Sequence, residues 1–206
     1  MHGDLNDNHI RHIPKDTFRN VTSLTTLWLS KNNLTSQVFE SVQHLSNLDQ
    51  LDLNDNHIRH IPKDTFRNVT SLTTLWLSKN NLTSQVFESV QHLHNLKQLS
   101  LATNHIEKIP PFAFSNLSNL KSLSLARNRI SELLNFTFAN LTGLKQIIYF
   151  IPRCYLSNKL YNDNELKVAS FIIRHIEFSK KMHVVKRFRR AFETLDKLRY
   201  DISSCQ

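Results

Sequence analysis

The chain has 206 residues, 40% of them hydrophobic, a formal net charge of +9, and only two glycines, Gly3 and Gly143. That is apolar material for one ordinary domain or a short repeat array, and too little glycine for a phosphate-cradling loop built from several of them. The charge is uneven: residues 147–206 hold 12 Lys/Arg against 6 Asp/Glu, so electrostatic arguments about partners concern that end first.

From the N-terminus the chain repeats itself. Asp4–Leu45 recurs residue for residue as Asp52–Leu93, an offset of 48, which is two units of 24. Each unit carries L-x-L-x-x-N-x-(L/I). A partial first unit holds Leu5, Asn8 and Ile10. Full units follow at Leu27/Leu29/Asn32/Leu34, Leu51/Leu53/Asn56/Ile58, Leu75/Leu77/Asn80/Leu82, Leu99/Leu101/Asn104/Ile106 and Leu123/Leu125/Asn128/Ile130. L-x-L alternation predicts a short strand with one buried face. The recurring Asn falls where the chain leaves the strand, and its amide is suited to satisfy backbone groups of that turn, coil upon coil. Ten residues after each Asn stands a bulky apolar residue: Phe18, Val42, Phe66, Val90, Phe114 and Phe138. One such unit cannot bury its apolar face alone, whereas a stack of about six forms a continuous core.

This pattern, with IPxxxFxxL segments such as Ile109-Pro110 through Phe114 and Leu117, resembles the leucine-rich repeat family, in the 24-residue form of extracellular proteins and Toll-like receptor ectodomains. The resemblance covers residues 3–146. It implies an α/β repeat solenoid, a horseshoe with a parallel sheet on its concave face, and it names no ligand. The expected organisation is a repeat array at 1–146 and an atypical basic segment at 147–206.

In such strands the residues between the buried leucines face out from the sheet. One outward column reads Asp4, Trp28, Asp52, Trp76, Ser100, Ser124; the next Asn6, Ser30, Asn54, Ser78, Ala102, Ala126; a third, near the strand end, Asp7, Lys31, Asp55, Lys79, Thr103, Arg127. Trp28 and Trp76, two coils and about 10 Å apart, are expected as exposed anchors of a rigid binding face. Lys31, Asp55 and Lys79 join them as ligand-binding candidates around Asp52. Asp7, Lys31, Asp55 and Lys79 are also expected to form a cross-strand ladder of alternating charge, each exposed pair contributing about 0–1 kcal/mol. His9/His12 and His57/His60 repeat an H-x-x-H spacing, but they fall in the turn after the strand with no third ligand, so no metal is expected.

Seven N-x-S/T sequons occur, at Asn20, Asn33, Asn68, Asn81, Asn116, Asn135 and Asn140. Asn20, Asn68, Asn116 and Asn140 share one repeat position, twelve residues after the Asn of the motif, on the outer flank and away from the sheet. They point to a secreted or cell-surface glycoprotein. Against that, Met1 leads straight into repeat sequence without a secretory leader, so a fragment or truncated gene product is expected.

After Leu144 the pattern fails. Ile147–Ile151 offers one last strand, which Pro152 ends. Cys154 and Cys205 permit one disulfide, but spacing does not pair them. From Met182 to Ile202, apolar residues recur at steps of three and four beside Lys180, Lys181, Lys186, Arg187, Arg189 and Arg190, as on one helix face. Three readings of this segment stay open: a helical cap over the core, a read-through or frame-shifted sequence, and a basic amphipathic helix for membrane, partner or nucleic acid. The extracellular family's C-x-C cap is missing. No apolar run has the roughly 18–20 residues needed to span a bilayer.

No nucleophile–base constellation emerges, so the expectation is a non-enzymatic binding module without a cofactor. It would recognise a protein ligand on its concave face, in the manner of a receptor ectodomain. No nucleic acid is expected, and a membrane enters only through missing parts or the basic segment; the oligomeric state stays open. A structural or matrix scaffold and an intracellular interaction protein are the alternatives.

Overall fold

The computed structural model describes residues 1–130, 132–133 and 136–148. The sequence readings of Cys154, Cys205, the amphipathic segment and the sequon at Asn135 lie outside these residues.

Each L-x-L motif from the second unit onward forms a strand of three residues: β2 (Thr26–Trp28), β3 (Gln50–Asp52), β4 (Thr74–Trp76), β5 (Gln98–Ser100) and β7 (Ser122–Ser124). β1 (His2–Asp4) precedes them and β9 (Gln146–Ile148) follows. All pair in parallel in the order β1-β2-β3-β4-β5-β7-β9, and the register advances by 24 residues at every step. The chain therefore climbs one strand per coil, and equivalent positions stand side by side. The second sheet pairs β6 (Lys108–Ile109) with β8 (Glu132–Leu133) on the return side of two later coils.

The core is one continuous cluster running the length of the stack. It takes the strand leucines from Leu27 to Leu125 and, from the return segments, Phe18, Val42, Phe66, Val90, Phe114 and Phe138. The return segments come in two forms. IPKDTF coils turn without regular helix. The alternate coils, reading SQVFESV, hold a 3-10 turn (Ser36–Val38) running into α1 (Phe39–Val42), and its counterpart α2 (Val86–Val90). In these helical coils Phe39 and Phe87, three residues before the expected valines, are also buried. They link the aromatic rows: Phe39 meets Phe66 edge-on at 5.9 Å, Phe87 meets Phe114 edge-on at 5.3 Å, and Phe114 stacks on Phe138 at 5.9 Å. Among the described residues no helix is long and apolar enough to cross a membrane.

The motif asparagines close the turns. Asn80 Nδ2 donates to Leu53 O in the preceding coil at 2.9 Å and to Leu77 O in its own at 3.2 Å, while its Oδ1 accepts from the Ile58 N–H at 3.0 Å. Asn32, Asn56, Asn104 and Asn128 repeat this set within a few tenths of an ångström. All five are buried. Asn8, in the first coil, is exposed and bonds only its own coil, to Leu5 O and Asn6 O. A second row runs along the return side: Asn47, Asn95 and Asn119 donate to Thr22 O, Thr70 O and His94 O of the coil before, at 2.8, 3.0 and 3.0 Å.

The residue before each motif Asn is left-handed: Asp7, Lys31, Asp55, Lys79, Thr103 and Arg127 all have φ between 53° and 57°. These residues turn the chain out of the strand and are not part of it.

Replacing Asn80 by Ala removes the acceptor of a buried N–H and a donor shared by two coils. The expected loss is about 2–4 kcal/mol in urea unfolding, against under about 1 kcal/mol for Asn8→Ala at the exposed end. Equal losses at the two positions would mean that burial in the row does not set its worth.

Candidate ligand-binding face

The sheet's solvent face lines up chemically distinct side chains in columns. Asp4, Trp28, Asp52 and Trp76 occupy matching positions on β1 to β4, with Trp28 paired in register to Asp52 and Asp52 to Trp76. Strand spacing then sets the three central side chains in a row at steps of about 4.8 Å. Ser100 and Ser124 continue the row on β5 and β7. Four of the seven strands are thus aromatic or acidic at this position, β5 and β7 carry small hydroxyls, and β9 carries Ile148.

The tryptophans differ from the expectation of exposed anchors: both are half-buried. An indole standing between close-set strands lies against its neighbours. The Trp28 ring meets the His2 ring edge-on with centroids 4.3 Å apart, and its Nε1 is buried without a hydrogen-bond partner among the described residues. Trp28 is therefore packed in place before any ligand arrives.

Asp52 is half-buried between the two indoles. Its Oδ1 accepts from the Asn54 N–H at 2.9 Å. Burial raises the carboxyl above its ordinary value of 3.8, and the Asn54 bond offsets only part of that. Among the described residues no Lys or Arg nitrogen lies within ion-pair distance of it.

The second column is spent on the sheet itself. Asn6 Oδ1 accepts from Ser30 N and Oγ at 2.7 and 2.9 Å, Asn54 Oδ1 accepts from Ser78 N at 2.7 Å, and Ser78 Oγ lies 2.6 Å from Ser100 Oγ. The third column is two separate pairs, not the expected ladder of alternating charge. Lys31 Nζ reaches Asp7 at 3.3 Å and Lys79 Nζ reaches Asp55 at 3.2 Å, with no ion pair between Lys31 and Asp55. Each lysine leans back to the coil before it, so the turn breaks the row into dimers. Lys31, Asp55 and Lys79 flank the Trp28–Asp52–Trp76 row as exposed, already paired charges.

The histidines of the H-x-x-H pairs stand apart from the Trp28–Asp52–Trp76 row. His9, His12, His57 and His60 are exposed, and His57 Nε2 contacts Asn33 Nδ2 at 3.4 Å. Of the sequon asparagines, Asn20, Asn68, Asn81, Asn116 and Asn140 are exposed and Asn33 is half-buried. Asn81 Nδ2 lies 3.3 Å from His105 Nε2, and Asn116 Nδ2 donates to Gln91 O at 3.3 Å.

Comparison with known proteins returns the same fold. The family model described as leucine rich repeat matches residues 4–58, 46–106 and 94–148. An internalin from Listeria monocytogenes superposes with a TM-score of 0.57 at 25% identity, over 76% of this chain and 44% of its own. The leucine-rich repeat part of FLRT2, solved in an octameric complex with Latrophilin 3 and Unc5D, gives a TM-score of 0.47 at 24% identity, over 69% of this chain and 58% of that one. The chain spans less than two thirds of either structure. No curated protein matches its sequence.

A carboxyl whose pKa is raised in the fold binds its proton more readily there than in the unfolded chain. Its charge therefore subtracts stability at neutral pH, and the subtraction fades as pH falls through the raised pKa towards 3.8. Asp52→Asn is expected to raise the melting temperature at neutral pH by a degree or so, with the difference gone below 3.8. A variant less stable than the wild type at neutral pH would show that the Asp52 charge supports the fold.

Proposed function

This chain belongs to the leucine-rich repeat family, and from that premise we propose that it is a non-enzymatic recognition module that binds a protein ligand on the open face of its sheet, outside the cell or at its surface. The observation that carries the reading is the Trp28–Asp52–Trp76 row: two aromatic rings and a desolvated carboxylate on a sheet fixed by its own hydrogen bonds. Large rings held in place lose little side-chain entropy on binding, which is what makes aromatic residues effective anchors. Lys31, Asp55 and Lys79 form a polar rim suited to orient a partner.

The extracellular part rests on the sequons. Asn20, Asn68, Asn116 and Asn140 share one repeat position and are exposed. Glycans there would leave the sheet face free. A module of this kind fits a receptor ectodomain better than a matrix scaffold, because a scaffold that only sets spacing has no need of a half-buried carboxylate without a counter-charge.

Secretion from a eukaryotic host is expected to yield a product whose gel mobility increases on endoglycosidase treatment, with the largest share of the change lost when Asn20, Asn68 and Asn116 become Gln together. An unshifted secreted product would speak for the intracellular alternative. Within a panel of purified cell-surface ectodomains, a partner of the wild-type chain is expected to lose about 2 kcal/mol or more of affinity to the double variant Trp28→Ala/Trp76→Ala. Unchanged affinity would place the ligand on another face.

A further inference from the structure

On the reading that the sheet face binds a protein, we propose that the Trp28–Asp52–Trp76 row is a receptor for one arginine side chain of that partner, the guanidinium pairing with the Asp52 carboxylate and stacking on a flanking indole.

Three independent features converge on this ligand. The first is placement. The register makes Asp52 the neighbour of Trp28 on one side and Trp76 on the other, so a carboxylate stands between two indole-bearing positions. Aromatic faces and a carboxylate attract the same thing, a cation, and a guanidinium is flat enough to lie along an indole while its N–H edge meets both carboxylate oxygens.

The second is the missing counter-charge. Other acids near this face have partners: Asp7 has Lys31 at 3.3 Å, Asp55 has Lys79 at 3.2 Å, and Asp49 accepts from the Thr73 hydroxyl at 2.6 Å. Asp4, at the end of the same row, is exposed to water. Asp52 is half-buried and its one hydrogen bond comes from a backbone N–H. Its carboxylate has lost part of its hydration without gaining a cation, and a guanidinium from outside restores the balance.

The third is the setting. Lys31 and Lys79, the nearest fixed cations by repeat position, are held by Asp7 and Asp55 and lie beyond the strand end in the left-handed turn. They leave the Asp52 position open to a cation supplied by a partner.

The test uses a convenience of the sequence. Trp28 and Trp76 are the chain's only tryptophans, so its intrinsic indole fluorescence reports on this row alone. The whole chain is titrated with an acetylated, amidated Gly-Arg-Gly peptide and with the same peptide carrying citrulline, which keeps the shape and removes the charge. The expected result is a saturable fluorescence change with the arginine peptide and about tenfold or greater weakening with citrulline. Asp52→Asn, with circular dichroism confirming the fold, should bring the arginine peptide to the citrulline level. Asp64→Asn, which removes a carboxylate of the return segment paired with Arg67 at 3.4 Å, should leave the preference intact. Arginine affinity should also fall as pH drops through the Asp52 titration; the other groups around the row are His2, Asp4, Asp49, Asp55, Lys31 and Lys79, and the Asp52→Asn variant subtracts their contribution.

No saturable change, an equal response to arginine and citrulline, or an undiminished preference in Asp52→Asn would each overturn the proposal. The two levels of the argument separate cleanly. A panel partner that is lost in the double tryptophan variant but binds Asp52→Asn normally keeps the sheet face and refutes the arginine site. A partner indifferent to both variants refutes the sheet face itself.

Discussion

The interaction on which this molecule depends is the bond set of one asparagine amide per coil. A solenoid that turns sharply out of each strand leaves carbonyls and an N–H pointing into the stack, where water does not reach. A single primary amide offers two donors and an acceptor, and Asn80 uses them on Leu53 O, Leu77 O and the Ile58 N–H. Leu, Ala or Ser in that place would leave at least one buried group unmatched. Because the five buried amides each reach into the coil before, the bonds fix the offset between coils as well as the turn within one. The constant 24-residue register of the sheet follows from this, and so does the alignment of the outward columns.

The same turn demands a left-handed residue just before the asparagine. Glycine would take that conformation without strain, yet the chain places Asp, Lys, Thr or Arg there. Thr103, being β-branched, is the least suited. Side chains at these six positions stand at the rim of the sheet, where a bare glycine would present nothing. Lys31 and Lys79 use the position to hold Asp7 and Asp55.

Much of this was legible in the sequence because the period is constant. A fixed repeat turns linear spacing into spatial neighbourhood: the strands, the buried leucines, the asparagine row and the outward columns could all be placed by counting. Features that depend on how a side chain bends could not. Phe39 and Phe87 enter the core together with Val42 and Val90 because the short helices of these coils bring residues three apart onto one face. Counting placed Asp7, Lys31, Asp55 and Lys79 in a column but not the direction in which each lysine leans. The His2 ring that packs edge-on against Trp28 lies outside the repeated block, so the repeat could not place it. The second asparagine row did leave a signal, since Asn47, Asn95 and Asn119 all stand directly before a core leucine of the return segment.

The duplication itself bears on where the binding chemistry arises. The repeated block, Asp4–Leu45 and again Asp52–Leu93, begins with one aspartate and carries one tryptophan a coil later, both in the same outward column. A single block places an aspartate beside one indole. Asp4 has that arrangement, with Trp28 its only tryptophan neighbour in the sheet. Joining two blocks in register sets the aspartate of the second between its own tryptophan and that of the first, and Asp52 is the position where this happens. The next coils carry Ser100 and Ser124, so among the described residues the bracketed carboxylate occurs once. That bracketing is a product of the seam: neither block alone contains the second ring. A duplication that lengthens a solenoid by two coils is structurally conservative, since every new contact copies an old one. At the seam of a two-coil block, however, side chains that were never neighbours become so, and here the new neighbourhood sets a carboxylate beside a second indole.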